Sequence, residues 1–236
     1  IMLLGWTVAT KQPAMTAPAM AAKLKDMSAP DAVENFVDEV VYLLRSQLVA
    51  IAGNVGLVMP VAFVLAIGLA RLGWDQLAMD PIHAQMILVQ HHLLGPTVLF
   101  AAATGGLLFL SSLIAGWTEN AFVLHRLDSV IAYHPRITRW LGAERARRWS
   151  RYWTQHISSW AGNISLGLLL GLVPPIVSFF GIPMEVRHVT LVAGQIGIAV
   201  HELGTSVLGQ PLLWWALGGI AITGLTNLVS SFTLAF

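Results

Sequence analysis

The chain has 236 residues, of which 56% are hydrophobic and 11% are charged, and its mean hydropathy is +0.71. A soluble domain of this length cannot bury so much apolar surface, so the composition excludes an ordinary soluble protein and predicts an all-α, polytopic membrane protein. Cysteine is absent, which excludes disulfides, thiolate metal sites and cysteine nucleophiles, and the net charge of +1 indicates no particular partner.

Residues 1–47 are predicted to hold the end of a preceding membrane span, a loop and an amphipathic helix. Residues 1–9 are apolar and lack the basic start of a signal peptide, so we expect a segment of a longer protein. Pro13 and Pro18 favour a loop. An apolar stripe then recurs at helical spacing opposite several acidic residues, and it comprises Val33, Phe36, Val37, Val40, Val41 and Leu44.

Two long apolar stretches follow. Residues 48–72 are long enough to cross a hydrocarbon core of ~30 Å at ~1.5 Å per residue, with a kink expected at Pro60. Residues 82–117 would extend for about 54 Å if they formed one helix, which is too long for an ordinary span. We therefore expect a break at Gly95–Pro96 or at Gly105–Gly106, because proline removes a backbone donor and glycine weakens a helix.

A polar linker at residues 119–156 carries seven arginines against three acidic residues, a net charge of +4. An excess of arginine in a short connection marks the cytoplasmic side of a membrane protein. Tryptophans interleaved with the arginines predict a basic amphipathic helix at the membrane interface, with phospholipid headgroups as the default contact. The predicted headgroup residues are Arg139, Arg147, Arg148, Arg151, Trp149 and Trp153.

Two parts of the sequence repeat one another and predict a duplication. Residues 79–99 and 183–208 share a frame of Met, an acid, two residues, His, six residues and Gln, and residues 52–57 match 161–166 at an offset of 109. We therefore expect two helical modules, at residues 48–118 and 157–236. Three crossings in each module would make them inverted repeats, whereas an even number would make them parallel, and both alternatives stay open.

Polar residues inside the apolar runs are the candidate site, because burying them in hydrocarbon is costly. His188, Gln195 and Glu202 are spaced by seven, and His83 and Gln90 repeat that spacing. One interpretation is a polar pathway near the bilayer midplane, and the other is interhelical hydrogen bonding that fixes the packing. The full predicted lining comprises Asn54, His83, Gln90, His92, Asn163, His188, Gln195, His201 and Glu202.

Other chemistries are not supported by the sequence. His201–Glu202 suggests a zinc peptidase, but that signature needs a second histidine at position 205, which is threonine. The histidines come from different helices, which is weak evidence for a metal site. No catalytic residue, metal ligand or cofactor is predicted, and the glycine pairs lack the strand and lysine of a nucleotide-binding loop.

Three segments, at residues 9–16, 161–167 and 187–191, resemble a family of bacterial multi-pass membrane proteins known as site-specific recombinases, Gcr-like. The resemblance implies a longer polypeptide in the bacterial inner membrane and brings no catalytic residues. Tyrosine recombination needs a nucleophilic Tyr among Arg and His in a site that closes on duplex DNA. Only Tyr152 lies beside arginines, on a short juxtamembrane helix, so DNA recombination and nucleic-acid binding are disfavoured.

The leading functional hypothesis is therefore a non-enzymatic membrane protein that binds or passes a small solute, ion or lipid where the two modules meet. The alternative is a scaffold or accessory subunit of a larger membrane complex, or of a homo-oligomer. A cavity reached by residues of both modules would favour the first, and dry packing of the same polar side chains would favour the second.

Overall fold

The computed structural model describes residues 32–74 and 79–235, and every regular element in these ranges is helical. The predicted end of a preceding span and the loop after it lie outside the described residues. The helices are α1 (Ala32–Arg71), α2 (Pro81–Gln90), α3 (Thr97–Leu124), α4 (Leu127–Tyr133), α5 (Pro135–Leu141), α6 (Ala143–Phe179), α7 (Val189–Leu203) and α8 (Pro211–Ala235), with a 3-10 turn at Thr205–Gly209.

Four of these helices, α1, α3, α6 and α8, are long and apolar enough to cross a membrane. Their lengths are 40, 28, 37 and 25 residues. α7 is apolar but has only 15 residues, and α2 has 10, so at ~1.5 Å per residue neither reaches across ~30 Å of hydrocarbon. The predicted all-α fold with membrane-length helices is thus confirmed.

α1 joins the predicted amphipathic helix and the first span into one continuous helix, about 60 Å long at ~1.5 Å per residue. Pro60 lies inside it without ending it. Its contact with α7 depends on Gly197, where a Cβ would overlap the carbonyl oxygen of Met59. Contacts advance along both helices in the same direction, from Val58 with Gly194 to Phe63 with His201, so α1 and α7 run parallel.

The long apolar stretch breaks at residues 91–96, between α2 and α3, as the Gly95–Pro96 pair predicted. α3 continues through Gly105–Gly106. The absence of side chains at these glycines leaves room for a neighbouring helix to pack closely. A Cβ on Gly105 would lie 2.7 Å from the Cβ of Ser230, so this glycine brings α8 close to α3.

α3 and α8 run parallel. The Asn227 side chain donates a hydrogen bond to the carbonyl oxygen of Ala101. Four residues later in α3 and three residues later in α8, Gly105 lies against Ser230, so both helices advance in the same direction. Parallel copies with an even number of crossings would give this direction for the third helix of each module, whereas inverted copies would set α3 and α8 antiparallel. The duplication itself stays a prediction.

The chain between α6 and α7 is non-helical at residues 183–188, with extended backbone at His188, and lies against α3 and α8. The sequence led us to expect helix from Val186, whereas α7 begins at Val189. At the other end of α7, Gly204 has a φ of +69°, which favours glycine, and the 3-10 turn leads into Pro211 as the first residue of α8.

The polar linker folds into α4, α5 and the first turns of α6. The Ser150 hydroxyl donates to the carbonyl oxygen of Asp128 at 2.7 Å, which ties α6 to α4. The apolar core lies elsewhere, where α2, α7 and α8 meet, and includes Leu88, Val192 and Ile196. The bundle thus has a basic end at the linker and an apolar core around α7.

Candidate functional site

Seven polar residues meet where the end of α2 comes close to the start of α7, and four of them, His91, Thr104, Arg187 and Asn227, are buried. We call all seven the central junction, and they are Gln90, His91, Thr104, Glu185, Arg187, Gln195 and Asn227. Asn227 lies 16 residues after the first residue of α8, or about 24 Å along that helix. The junction is therefore well inside a helix long enough to cross a membrane.

Arg187 is the centre of the junction, with a side chain only 1% exposed. Its Nη1 donates to the carbonyl oxygen of Gln90 at 2.9 Å and contacts Nδ1 of His91, and its Nη2 donates to the Glu185 carboxylate. Gln90 is the last residue of α2, so the guanidinium meets the negative end of that helix dipole. Its Nε has no hydrogen-bond partner among the described residues.

Asn227 and Thr104 satisfy the backbone of the non-helical segment. Nδ2 of Asn227 donates to the carbonyl oxygens of Ala101 at 2.8 Å and Arg187 at 3.0 Å, while its Oδ1 accepts the N–H of Val189 at 3.3 Å. The Thr104 hydroxyl oxygen accepts the Arg187 N–H at 2.9 Å. Non-helical backbone is tolerated at membrane depth only with such partners, so these two side chains allow the chain to enter the bundle in non-helical form.

His91 connects the junction to α7 and α8. Its Nε2 lies 3.0 Å from Oε1 of Gln195. Gly219 of α8 packs directly beneath it, because a Cβ at that position would overlap the His91 carbonyl oxygen. The junction is thus held by hydrogen bonds on one side and by close backbone contact on the other.

A second polar feature lies between α1 and α7, in a cleft of about 220 Å³ that we call the Glu202 cleft. Glu202 is the one polar residue among its described lining residues, which are Ala62, Leu65, Ala66, Leu69, Ala70, Trp74, Ile198 and Glu202. The Glu202 side chain is 17% exposed, and its Oε1 lies 3.1 Å from Nδ1 of His201. The His201 ring meets the edge of Phe63 at 5.9 Å between centroids.

The structure brings together some predicted lining residues. Gln90 and Gln195 belong to the junction, the former through its carbonyl oxygen, and His201 pairs with Glu202 in the cleft. The junction and the cleft are separate features on α7, with Gln195 in the first and Glu202 in the second.

The other predicted lining residues lie apart. Asn54 is exposed on α1, Asn163 is half-buried on α6, and His188 is half-buried just before α7. His92 stacks on Trp215 at 5.1 Å between centroids.

The remaining residue of the predicted lining, His83, is exposed in the first turn of α2. Its backbone N–H donates to the Asp80 carboxylate at 3.0 Å, and this hydrogen bond lowers the pKa of Asp80 from its usual value. The pair forms the N-terminal cap of α2.

Sequence reasoning missed five members of the junction, namely His91, Thr104, Glu185, Arg187 and Asn227. Arg187 lies in the repeated frame where the first copy has Ile82, so a search for matched residues passed over it. The available signal was the position of Asn227 in the long apolar stretch of α8, since such a polar group must find partners.

The predicted headgroup residues lie at the linker end of the bundle. Arg147 and Arg148 both pair with Glu144, at 3.0 Å and 3.3 Å. Arg139, Arg151 and Trp149 are exposed, and Trp153 is half-buried.

Tyr152, in the same region, contacts aromatic side chains that do not match the surroundings of a recombinase nucleophile. Its hydroxyl oxygen accepts a hydrogen bond from Trp160 at 3.1 Å, and its ring stacks on His156 at 4.4 Å. Its neighbours Arg147 and Arg148 are ion-paired with Glu144 instead. No group of three or more His, Asp or Glu side chains among the described residues is placed to hold a metal ion.

Comparison with known proteins gives one match. A family model described as site-specific recombinase, SpecificRecomb, matches residues 1–236. No curated protein and no solved structure matches the chain.

Proposed function

The chain belongs to the site-specific recombinase family, and we propose that it is a non-enzymatic membrane protein that binds a small organic cation in the Glu202 cleft. The observation that carries this proposal is one carboxylate in a cleft whose other described lining residues are apolar. A carboxylate in such surroundings is costly unless a cation or hydrogen-bond donors compensate it. Glu202 has one close partner in the described structure, Nδ1 of His201.

The size and lining of the cleft favour a small, lipophilic cation. Its volume of about 220 Å³ is below the roughly 300–1,000 Å³ of sites for drug-sized ligands. Trp74 also lines the cleft, and a tryptophan ring attracts cations through its π face. Alkylammonium ions combine a charge for Glu202 with alkyl groups for the alanine and leucine side chains.

The cleft also lies where the two predicted modules meet, since α1 belongs to the first and α7 to the second. Support for the two-module division comes from the order of elements, a long helix, a short helix and a long helix on each side of the linker. The proposal places the protein in the bacterial inner membrane with the linker in the cytoplasm. It assigns contact with lipid headgroups to the linker arginines and tryptophans.

DNA recombination, which the family description names, is not part of this proposal. Strand exchange by a tyrosine nucleophile needs free arginines around it and a solvated basic face for DNA. Tyr152 is hydrogen-bonded to Trp160, and Arg147 and Arg148 pair with Glu144. That leaves Arg151 as the one exposed arginine directly beside Tyr152 in the sequence. Among the described residues, Tyr152 is therefore not surrounded by the groups that cleavage of a DNA phosphodiester by tyrosine requires.

The test is binding of tetraethylammonium to the purified protein in detergent, measured by calorimetry. We expect saturable binding that becomes more than about tenfold weaker in Glu202→Gln, because the substitution removes the charge and keeps the shape. Trp74→Leu is expected to weaken binding about two- to fivefold through the lost cation–π contact.

Glu34→Gln is the matched control, since Glu34 is an exposed acid in the first turn of α1. It removes the same charge from the protein without touching the cleft, so binding should be unchanged. Equal binding by the wild-type protein and Glu202→Gln would refute the proposal, as would the absence of saturable binding in the wild-type protein.

A second candidate function, a scaffold or accessory subunit of a membrane complex, is favoured by the central junction. There the polar groups are largely satisfied by one another, which is how interhelical packing is fixed in membranes. Under that function, Glu202→Gln would disturb assembly of the complex, and neither the wild-type protein nor the variant would bind the cation.

A further inference from the structure

An apolar groove of about 530 Å³ separates the N-terminal half of α1 from the C-terminal half of α8. On α1 its wall includes Phe36, Val40 and Leu44, which repeat at helical spacing along one stripe. On α8 it includes Leu228 and Phe232. The two walls are apolar faces that look toward each other across a space that their side chains do not fill.

Gln47 lies in the same wall and is 4% exposed. Its Nε2 has no hydrogen-bond partner among the described residues. An amide donor buried without an acceptor costs about 1–3 kcal/mol. A half-turn of the amide exchanges Nε2 and Oε1, so either atom can occupy the position that faces the groove.

We propose that this groove binds one acyl chain of a phospholipid, with the ester carbonyl oxygen accepting a hydrogen bond from Gln47. The chain would cover the apolar stripe of α1, and the ester oxygen would satisfy the buried amide. The α8 wall belongs to a helix of 25 residues that is long and apolar enough to cross a membrane, so the groove beside it borders the lipid phase.

The dimensions favour a chain thinner than a polypeptide helix. Ten residues of helix, about 15 Å long and about 10 Å across, would occupy about 1,200 Å³, which is more than all of the empty space between the two walls, about 1080 Å³. Composition also disfavours the part of the chain next to α1, because residues 23–31 carry two lysines and two aspartates that would face apolar walls.

The test uses native mass spectrometry of the purified protein, delipidated and then titrated with 1-palmitoyl-2-oleoyl phosphatidylethanolamine. We expect one tightly bound lipid per chain. Val40→Trp should abolish this binding by filling the groove, whereas Val41→Trp should retain it, since Val41 is exposed and does not line the groove. Thermal unfolding of both variants checks that each remains folded.

The role of Gln47 is isolated by a second pair of measurements that needs no bulky side chain. Gln47→Leu should weaken binding about three- to tenfold, and the dialkyl ether analogue of the lipid should bind the wild-type protein equally weakly because it lacks the carbonyl. The ether and ester lipids should then bind Gln47→Leu alike.

Two results would overturn the inference. One is retention of the lipid by folded Val40→Trp, and the other is an undiminished preference for the ester lipid in Gln47→Leu. If delipidated wild-type protein binds no lipid and crosslinks at Val40 to residues 1–31 or to a second copy, the groove holds protein and the inference is wrong.

Discussion

The central junction and the Glu202 cleft both place charged or ionisable side chains inside an apolar bundle, but they differ in how those groups are partnered. Arg187 contacts Gln90, His91 and Glu185 at once, whereas Glu202 has one close partner and an apolar cleft beside it. Because Arg187 is bonded to several neighbours, we interpret it as a residue that stabilises the fold. Because Glu202 has an open cleft beside it, its carboxylate can still bind a ligand.

The largest expected effect comes from Arg187→Met, which would break the junction. The substitution leaves the Gln90 carbonyl oxygen and Nδ1 of His91 without their donor and should destabilise the fold by about 3–4 kcal/mol. Thermal unfolding in detergent should show a decrease of about 10 °C. Arg139→Met on the exposed face of α5 is the control and should change little. An unchanged unfolding temperature for Arg187→Met would show that the junction does not hold the bundle.

Asn227→Leu should cost about 3 kcal/mol, because the Ala101 and Arg187 carbonyl oxygens and the Val189 N–H all lose their partner. Asn54→Leu makes the same chemical change at an exposed position of α1 and is expected to be close to neutral. Equilibrium unfolding of the two variants compares them directly. Equal stability of both variants would contradict the role assigned to Asn227.

Gly219→Ala tests the steric side of the junction. The added methyl would overlap the His91 carbonyl oxygen, so we expect a loss of about 2 kcal/mol from the shift that the backbone must make. Gly167→Ala on α6 meets open space and should stabilise its helix by up to about 1 kcal/mol. We expect the unfolding temperature to fall in Gly219→Ala and to rise in Gly167→Ala. A change in the same direction for both variants would contradict the steric role assigned to Gly219.

The smallest expected effect on stability belongs to the cleft. Glu202→Gln removes a partly exposed pair with His201, which is worth less than about 1 kcal/mol. Its unfolding temperature should therefore stay within about 3 °C of the wild-type value. A loss as large as that of Arg187→Met would mean that Glu202 also holds the fold, and the division between the two regions would fail.

The helices of this fold were predictable because membrane length and apolar composition leave few alternatives. The break at Gly95–Pro96 followed from the missing proline donor. The start of α7 did not follow, since Val186 and Arg187 are compatible with helix. Their non-helical backbone is held by Thr104 and Asn227, which are distant in sequence.

The candidate site was predictable only in part. The spacing of Gln195 and Glu202 put them on one stripe of α7, yet their partners come from different helices and their surroundings differ. Gln195 bonds His91 across the bundle, and Glu202 faces α1. Periodicity reports which residues share a face, but it does not report which neighbour that face meets.

The non-helical segment at residues 183–188 also takes its hydrogen-bond partners from parts of the chain that are synthesised at different times. Thr104 is already synthesised when this segment leaves the ribosome, whereas Asn227 follows it by about 40 residues. The carbonyl of Arg187 and the N–H of Val189 therefore wait for their partner until α8 has been translated. A chain that ends before Asn227 would therefore leave both of these backbone groups without the partner that they have in the complete bundle.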